Sequence, residues 1–397
     1  MKKEDIKMQN FAKIPNIGFL EAFEDKMPNA NYIMQGRAKE KALDVYHLII
    51  APTYACNLRC RHCYLPNHNQ DILPKDIVLR LIDEWNRIVL EERGRYGGIF
   101  HIKGGEPFVV PYLWDIIDKL VKLQSLRLML TTNGTFTKED IFKRLSDCRD
   151  ALDGYLTIIV SLDGATEETH AILRGKGQFV KTLKFLNGLQ KYGISFYLNC
   201  VLHKGNINEL SAYINLANEY GATQINFLNF IPRGNGSTLR NWQLPHLELY
   251  ERLEELYRNG NEQTKKMLAG SLPDIKCREI YYCSTSRECV AGYRGLLYIT
   301  PNGSTFTCPN VVYPNTSLGN VFNQNLKGIM WNVEELYNRL KVYSGIYLCT
   351  GERMLYEMEK DMFRLKSLRA LQTYLDKSYL NHILKPLSIS YCFNRNW

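Results

Sequence analysis

The sequence points to an α/β fold: a partial (β/α)6 barrel of the TIM type, then a small cysteine-rich C-terminal domain and a helical tail. Three features lead there. From about residue 46 to residue 235, short apolar or β-branched runs alternate with longer amphipathic ones, and that alternation implies parallel βαβ units. After Pro232 the rhythm gives way to charged helical patterns and then to Gly/Asn/Pro turns. The 11 cysteines fall unevenly, one group of three inside the alternating region and another beyond it.

Residues 1–45 carry Pro15, Pro28 and several Gly and Asn, and read as an irregular extension. Strands are expected at 47–52, 98–103, 126–132, 156–162, 195–202 and 224–231. Helices are expected between them at 75–92, 111–122, 138–147, 178–192 and 206–220. In the first helix Ile77, Leu81, Ile82, Trp85, Ile88 and Val89 recur at spacings of three and four, which places them on one face. These units make the barrel, 46–235. Residues 236–274 read as a helical linker, and 275–350, with a short strand at 295–300, as a small domain whose core needs a staple. In the tail, 351–397, Met354, Leu355, Met358, Met362, Leu365, Leu368 and Leu371 form an apolar stripe. It is expected to pack on the body, with a partner-binding helix as the alternative.

Composition narrows the function. Of 397 residues, 45% are apolar and 23% charged, so the chain can bury a core and is not a disordered protein. No run of about 18 uncharged apolar residues occurs, which argues against a membrane-spanning helix. The first residues lack a secretory apolar stretch, so a cytoplasmic protein is expected. The net charge of +9 suits an acidic peptide or a plain solvated surface. No Lys/Arg block argues for nucleic acid. An odd cysteine count defeats an all-disulfide framework, and in such a chain cysteines bind metal or do chemistry.

Cys56-Asn-Leu-Arg-Cys60-Arg-His-Cys63 comes directly after the first expected strand. Three thiolates are one short of the four that fill a cubane iron–sulfur cluster. The missing ligand leaves a metal position open for a substrate or cofactor. The alternatives are His62 as a fourth ligand and a structural zinc site, though zinc sites favour paired Cys-x2-Cys knuckles.

Further short motifs stand at the ends of the later expected strands: Gly104-Gly105-Glu106-Pro107, then Thr132-Asn133-Gly134, then Ser161-Leu-Asp163-Gly164 with His170 and Arg174. Taken with the cysteine loop, they make the chain resemble the radical SAM superfamily. The first looks like the family's GGEP motif and the second resembles its TNG turn. The third is similar to the pattern of the peptide-modifying branch. The resemblance implies that Cys56, Cys60 and Cys63 hold a [4Fe–4S] cluster whose open iron binds S-adenosylmethionine (SAM). It implies that Gly104 and Gly105 let backbone approach the ligand and that Glu106 accepts from the methionine ammonium. It also implies that Asn133 and Ser161 contact the cofactor and that Arg174 pairs with its carboxylate. Asp163 belongs to the same motif or caps the next turn. Asn199 is a weaker candidate for a ribose contact.

Beyond the barrel the pattern Cys289-x13-Gly303-x4-Cys308 reads as a hairpin with Asn302-Gly303 at its turn. It looks like the SPASM or twitch extension of many radical SAM enzymes. That likeness implies one auxiliary [4Fe–4S] cluster on Cys283, Cys289 and Cys308, with Cys349 the preferred fourth ligand. Cys392 is the runner-up, and an open iron or a zinc site are the other readings. The dense cysteine run of a full SPASM domain is missing, so a second auxiliary cluster is not expected unless Cys277 contributes. Cys148 and Cys200 are expected to be ordinary buried residues.

The expected activity is reductive cleavage of SAM to a 5'-deoxyadenosyl radical that abstracts hydrogen from a ribosomally made precursor peptide. A cross-link (C–C or thioether) or epimerisation would result. Pro309 after Cys308 counts against sulfatase activation. Only 55 residues precede Cys56, so a precursor-recognition domain is expected to be absent or encoded separately. A flavodoxin- or ferredoxin-type electron donor is implied, with no nucleic-acid or membrane partner. A small-molecule radical dehydrogenase or haem-pathway enzyme is the second reading. A non-catalytic iron–sulfur or zinc protein is the third. No side chain is assignable as a catalytic acid or base; Arg233, Tyr293 and Arg294 lie where substrate would enter or are structural.

Overall fold

The computed structural model describes residues 45–65, 71–230, 232–244, 246–268, 295–310, 312 and 314–339. The expected N-terminal extension and tail helix lie outside these residues. So do Cys277, Cys283, Cys289, Cys349, Cys392, Tyr293 and Arg294.

Six parallel strands form the barrel: β1 (His47–Ile50), β2 (Ile99–Ile102), β3 (Arg127–Thr132), β4 (Leu156–Ser161), β5 (Phe196–Leu202) and β6 (Gln224–Asn229). Helices α1 (Lys75–Glu92), α2 (Leu113–Leu123), α3 (Glu139–Ala151), α4 (Glu167–Arg174), α5 (Gln178–Lys191) and α6 (Leu210–Glu219) connect them. The strands order as β6-β5-β4-β3-β2-β1, each parallel to the next, and β6 does not close back on β1. This is the open, partial barrel.

The alternation of each strand sorts its side chains. Leu48, Ile50, Phe100, Ile102, Leu128, Leu130, Ile158, Val160, Phe196 and Leu198 face the helices in the main core. The intervening residues face the other way and are more polar: His47, His101, Thr131, Ser161 and Asn199. That second face is partly filled: Ile49, Ala51, Tyr54 and Tyr298 pack a smaller core there, while Thr131, Ser161 and Asn199 are half-buried.

Helix α1 matches its expected span residue for residue, because Val78, Leu81, Ile82, Trp85, Ile88 and Val89 are all buried on one face. The Trp85 indole N–H also finds the Ile99 carbonyl at 3.1 Å. Helix α4 is not among the expected elements. It is only eight residues long, too short for a periodic signal. Its ends do carry signals: Thr166 and Thr169 form a capping box, Glu167 and Glu168 occupy the first turn, and Gly175 comes after the last residue. The helix expected over 206–220 starts later, because Asn206 spends its side chain on the carbonyls of Val201 and Asp163.

The charged linker forms α7 (His246–Asn259) and α8 (Glu262–Leu268), with Met267 and Leu268 buried. The expected hairpin is present as β7 (Leu296–Ile299) and antiparallel β8 (Ser304–Phe306), followed by β9 (Gly319–Asn320). Gly303, at φ +79°, makes its turn. Nothing in the sequence reveals where this hairpin goes. Strand β7 pairs parallel with β1, His47 opposite Leu296, and extends one sheet to nine strands. Without it the β1 edge would present unpaired N–H and C=O groups.

Helix α9 (Leu326–Arg339) returns to α1. The buried Glu84 carboxylate accepts the Leu326 N–H at 2.7 Å and pairs with Arg80 at 2.5 Å. An acid at a helix start satisfies a donor that the helix leaves open. Glu84→Ala is expected to cost about 1–3 kcal/mol, the penalty of a buried unsatisfied donor. The urea unfolding midpoint measures it. Among the described residues no helix is long and apolar enough to cross a membrane.

Candidate functional site

The site is built at the carboxyl ends of β1 to β5, where a parallel barrel gathers its functional loops. The cysteine loop leaves β1. Cys56, Cys60 and Cys63 are partly exposed on it and form no disulfide. Burial pushes all three thiols up, Cys63 to about 11, and a metal ligand must give up that proton.

Gly104 and Gly105 seat this loop. Gly105 N–H donates to the Thr53 carbonyl at 2.9 Å, and Glu106 N–H to the Ala55 carbonyl at 3.0 Å. A Cβ at Gly105 would lie 2.0 Å from the Ala55 oxygen and 2.5 Å from the Tyr54 oxygen. Gly104 adopts φ +137°, and its Cβ would meet the Thr53 oxygen at 2.4 Å. The close approach that these glycines permit is thus to the cysteine loop of the chain itself. Gly105→Ala is expected to destabilise the fold by about 1–3 kcal/mol and to displace the loop. A lower melting temperature together with less iron bound per chain on reconstitution would register both effects.

Glu106 is 1% exposed. It accepts from the Thr132 hydroxyl at 2.8 Å, the Asn133 N–H at 2.8 Å and the Phe108 N–H at 3.2 Å. Burial raises its carboxyl to about 7, against the pull of those three donors. Most of its acceptor capacity therefore holds the turn after β3. Gly134 completes that turn at φ +68°. The Asn133 amide then reaches Asn57 Oδ1 at 2.8 Å and Cys56 Sγ at 3.8 Å.

Asp163 is wholly buried and is the node of the other side. Its Oδ2 accepts from Arg174 Nε at 2.5 Å and faces His62 Nε2 at 3.5 Å. Its Oδ1 accepts the Val201 N–H at 2.8 Å, and its own N–H donates to His170 Nδ1 at 3.2 Å. Burial alone would raise this carboxyl, but Arg174, His62 and the Val201 N–H outweigh it and hold the group at about 2. Asp163 is therefore an ion-pair partner rather than a turn cap; Thr166 caps α4. His170 and Arg174 stand four apart on α4 and share a face. Arg174 commits Nε to Asp163 and places Nη1 3.9 Å from Cys60 Sγ. The loop is also tied to α4 directly, by Arg61 N–H to the Leu173 carbonyl at 2.8 Å.

Ser161 and Asn199 lie side by side in the β4–β5 register. Asn199 Oδ1 accepts from Asn226 at 2.8 Å, which fixes its amide. Cys308, at the end of the hairpin, is buried, with the Asn310 N–H 3.4 Å from its Sγ. Arg233 donates to the Asn310 carbonyl, and two residues on, Asn235 N–H holds the Cys63 carbonyl at 2.9 Å. One short segment thus ties the Cys63 and Cys308 loops together. Cys148 and Cys200 are buried in the main core, as ordinary apolar residues.

Sequence reasoning passes over a chain of polar groups on the open face. His47 Nε2 meets His101 Nδ1 at 3.0 Å, and His101 Nε2 meets Thr131 Oγ1 at 2.7 Å. Burial holds both imidazoles neutral, His47 at about 4. Lys103 stands two residues on, 5.5 Å from the centre of the Tyr64 ring. Polar residues alternating with Ile and Phe in 99–103 are the available signal.

The donor set fits a polynuclear cluster. Three thiols project from one loop, and two of their sulfurs already receive N–H donors: Cys56 from Leu58 at 3.4 Å and from Asn133, and Cys60 from Arg174. Such donors stabilise the electron-rich sulfurs of a cubane. Among the described residues no three His, Cys, Asp or Glu side chains converge as ligands of one metal ion. His62 turns its Nε2 to Asp163 at 3.5 Å, and its Nδ1 is buried without a hydrogen-bond partner.

Residues 50–217 match the model of the Radical SAM superfamily. The mycofactocin maturase of Mycobacterium tuberculosis is 26% identical over 298 residues, 73% of this chain and 71% of that protein. The AdoMet-dependent heme synthase of Methanosarcina barkeri is also 26% identical, over 305 residues, 73% of this chain and 82% of that protein. Among solved structures, Streptococcus suis SuiB bound to its precursor peptide SuiA is similar in fold. Its TM-score is 0.53 at 18% identity, over 77% of this chain and 67% of that one.

Proposed function

We propose that this chain, whose residues 50–217 match the Radical SAM superfamily, is an enzyme that modifies a ribosomally synthesised precursor peptide. Cys56, Cys60 and Cys63 would hold the [4Fe–4S] cluster, and SAM would occupy its open corner. When bound, these would supply one-electron reduction of SAM and the radical chemistry that removes a substrate hydrogen. The chain's own residues hold that site in place. Gly104, Gly105 and Glu106 seat the loop and the Asn133 turn. Asp163 anchors Arg174, whose guanidinium lies at the cysteine loop and would meet a carboxylate of SAM there. Ser161, Asn133 and Asn199 line the approach as further cofactor contacts. The expected product is a C–C or thioether cross-link, or an epimerised residue.

The observation that carries this reading is the cysteine loop, gripped by both flanking motifs at the strand ends. The likeness to a maturase and to a peptide-bound structure directs it toward a peptide. The domain scheme accompanies it: extension 1–45, barrel 46–235, linker 236–274, auxiliary-cluster domain 275–350 and tail 351–397. One auxiliary [4Fe–4S] cluster would be held by Cys283, Cys289 and Cys308, with Cys349 as fourth ligand. Partners would be the precursor peptide, a separate leader-recognition protein and a flavodoxin- or ferredoxin-type donor. The similarity to a heme synthase keeps a small-molecule or haem-pathway substrate as the second reading.

Anaerobic turnover of the reconstituted chain with a candidate precursor peptide, encoded beside it, tests the proposal. Formation of 5'-deoxyadenosine together with a changed peptide mass supports it. Formation of 5'-deoxyadenosine with an unchanged peptide, and turnover of a porphyrin or sugar instead, transfers the function to the second reading.

A further inference from the structure

The Asp163–Arg174 pair extends toward the cysteine loop in a way that cofactor binding alone does not require. Arg174 is 10% exposed and Asp163 is fully buried, and their contact of 2.5 Å fixes the guanidinium plane. That plane presents Nη1 to Cys60 Sγ at 3.9 Å. The neighbouring cations turn elsewhere. Arg59 donates to the Cys56 and Leu58 carbonyls. Arg61 donates to the Ile172 carbonyl and lies over the Trp242 ring. The donors at the cysteine sulfurs therefore differ in kind, and Cys63 receives a neutral backbone donor, the Leu65 N–H. Cys56 Sγ receives neutral donors, the Leu58 N–H and the Asn133 amide. Cys60 Sγ receives a charged one.

We propose that Arg174, held by Asp163 as its positioning residue, sets the reduction potential of the cluster through Cys60. The assignment rests on the reading of Cys56, Cys60 and Cys63 as cluster ligands. Cluster potentials respond to net charge, to hydrogen bonds at the ligand sulfurs and to solvent exposure. Reduction adds one negative charge to the cluster. A cation at a ligand sulfur stabilises that charge, and in a site of low exposure the stabilisation is screened little. The potential is thereby raised, which makes the cluster easier to reduce. Asp163 offsets part of the charge, but its larger effect is geometric: it stops the guanidinium from swinging to solvent.

The test is an EPR-monitored redox titration of the full chain, reconstituted anaerobically and kept free of SAM. Wild type is compared with Arg174→Gln, Arg174→Lys and a surface control, Arg144→Gln, whose partner is the exposed Asp118. Arg174→Gln is expected to titrate at a more negative potential. A tenfold fall in the reduced-to-oxidised ratio at fixed potential corresponds to ~59 mV for one electron. Arg174→Lys retains a charge but not the fork that spans Asp163 and Cys60, so a smaller shift in the same direction is expected. Arg144→Gln is expected to leave the midpoint in place. An unshifted midpoint in Arg174→Gln overturns the proposal; if that variant assembles no cluster, an unshifted Arg174→Lys does so. A wild-type chain without a reducible [4Fe–4S] signal overturns the reading of the cysteine loop itself, and this assignment with it.

Discussion

Replacing Cys56, Cys60 or Cys63 singly by alanine is expected to abolish 5'-deoxyadenosine formation and to remove the iron held at this loop. The reason is ligand count. Three thiolates already leave one iron of a cubane without protein ligand, and two thiolates leave half the cluster exposed to exchange. The neighbouring side chains already have partners. His62 faces Asp163, and the Glu106 carboxylate is occupied by Thr132, Asn133 and Phe108. The fold should survive, since these cysteines are only partly buried and stand outside the main core. An unchanged far-ultraviolet circular dichroism spectrum, with iron lowered and no SAM cleavage under dithionite, is the expected result. Full iron loading with normal cleavage in any one of the three would remove that cysteine from the ligand set. The same substitution at Cys148 or Cys200 should change stability alone, because both sit in the core.

Asp163→Ala is expected to lower folding stability by about 3–5 kcal/mol, the cost of leaving a buried charge without its partner. Arg174 would lose its ion pair, the Val201 N–H its acceptor, and His62 its neighbour. Because these groups belong to β5, α4 and the cysteine loop, the loss should also appear as reduced iron retention. Chemical denaturation measures the first effect and metal analysis the second. The pH dependence has a definite sign. The folded carboxyl sits at about 2, below its ordinary value of 3.8. Its contribution is therefore complete above about pH 4 and is lost as pH falls through the lower value. A difference between wild type and variant that stays constant from pH 7 down to pH 5 agrees with this. A difference that disappears by pH 5 does not.

Much of the barrel is legible in the sequence. Helix α1 can be placed to the residue, because an 18-residue amphipathic run after Pro74 carries its own boundaries. The six strands can be placed to within a few residues, since each is a short apolar run bounded by a turn. Helix α4 escapes such reading because its eight residues offer caps but little periodicity. The site is legible as a set of motifs but not as an arrangement. The double glycine is legible as a motif, but its close packing on the Ala55 and Thr53 carbonyls is not. Arg174 is expected to reach for a cofactor carboxylate, and its fixed partner is Asp163, 11 positions away in the chain.

Local sequence was enough for the α/β alternation, the cysteine loop after the first strand and the hairpin around Asn302-Gly303. Periodicity, spacing and turn chemistry act over a few residues, so each of these carries its own signal. The pairing of β7 with β1, and the placing of Arg174 at Cys60, 114 positions away, came only with the assembled fold. Those contacts depend on which edge remains unpaired and on where a buried charge can find its partner. Both are properties of the complete sheet, because no short stretch of chain contains both members of either pair.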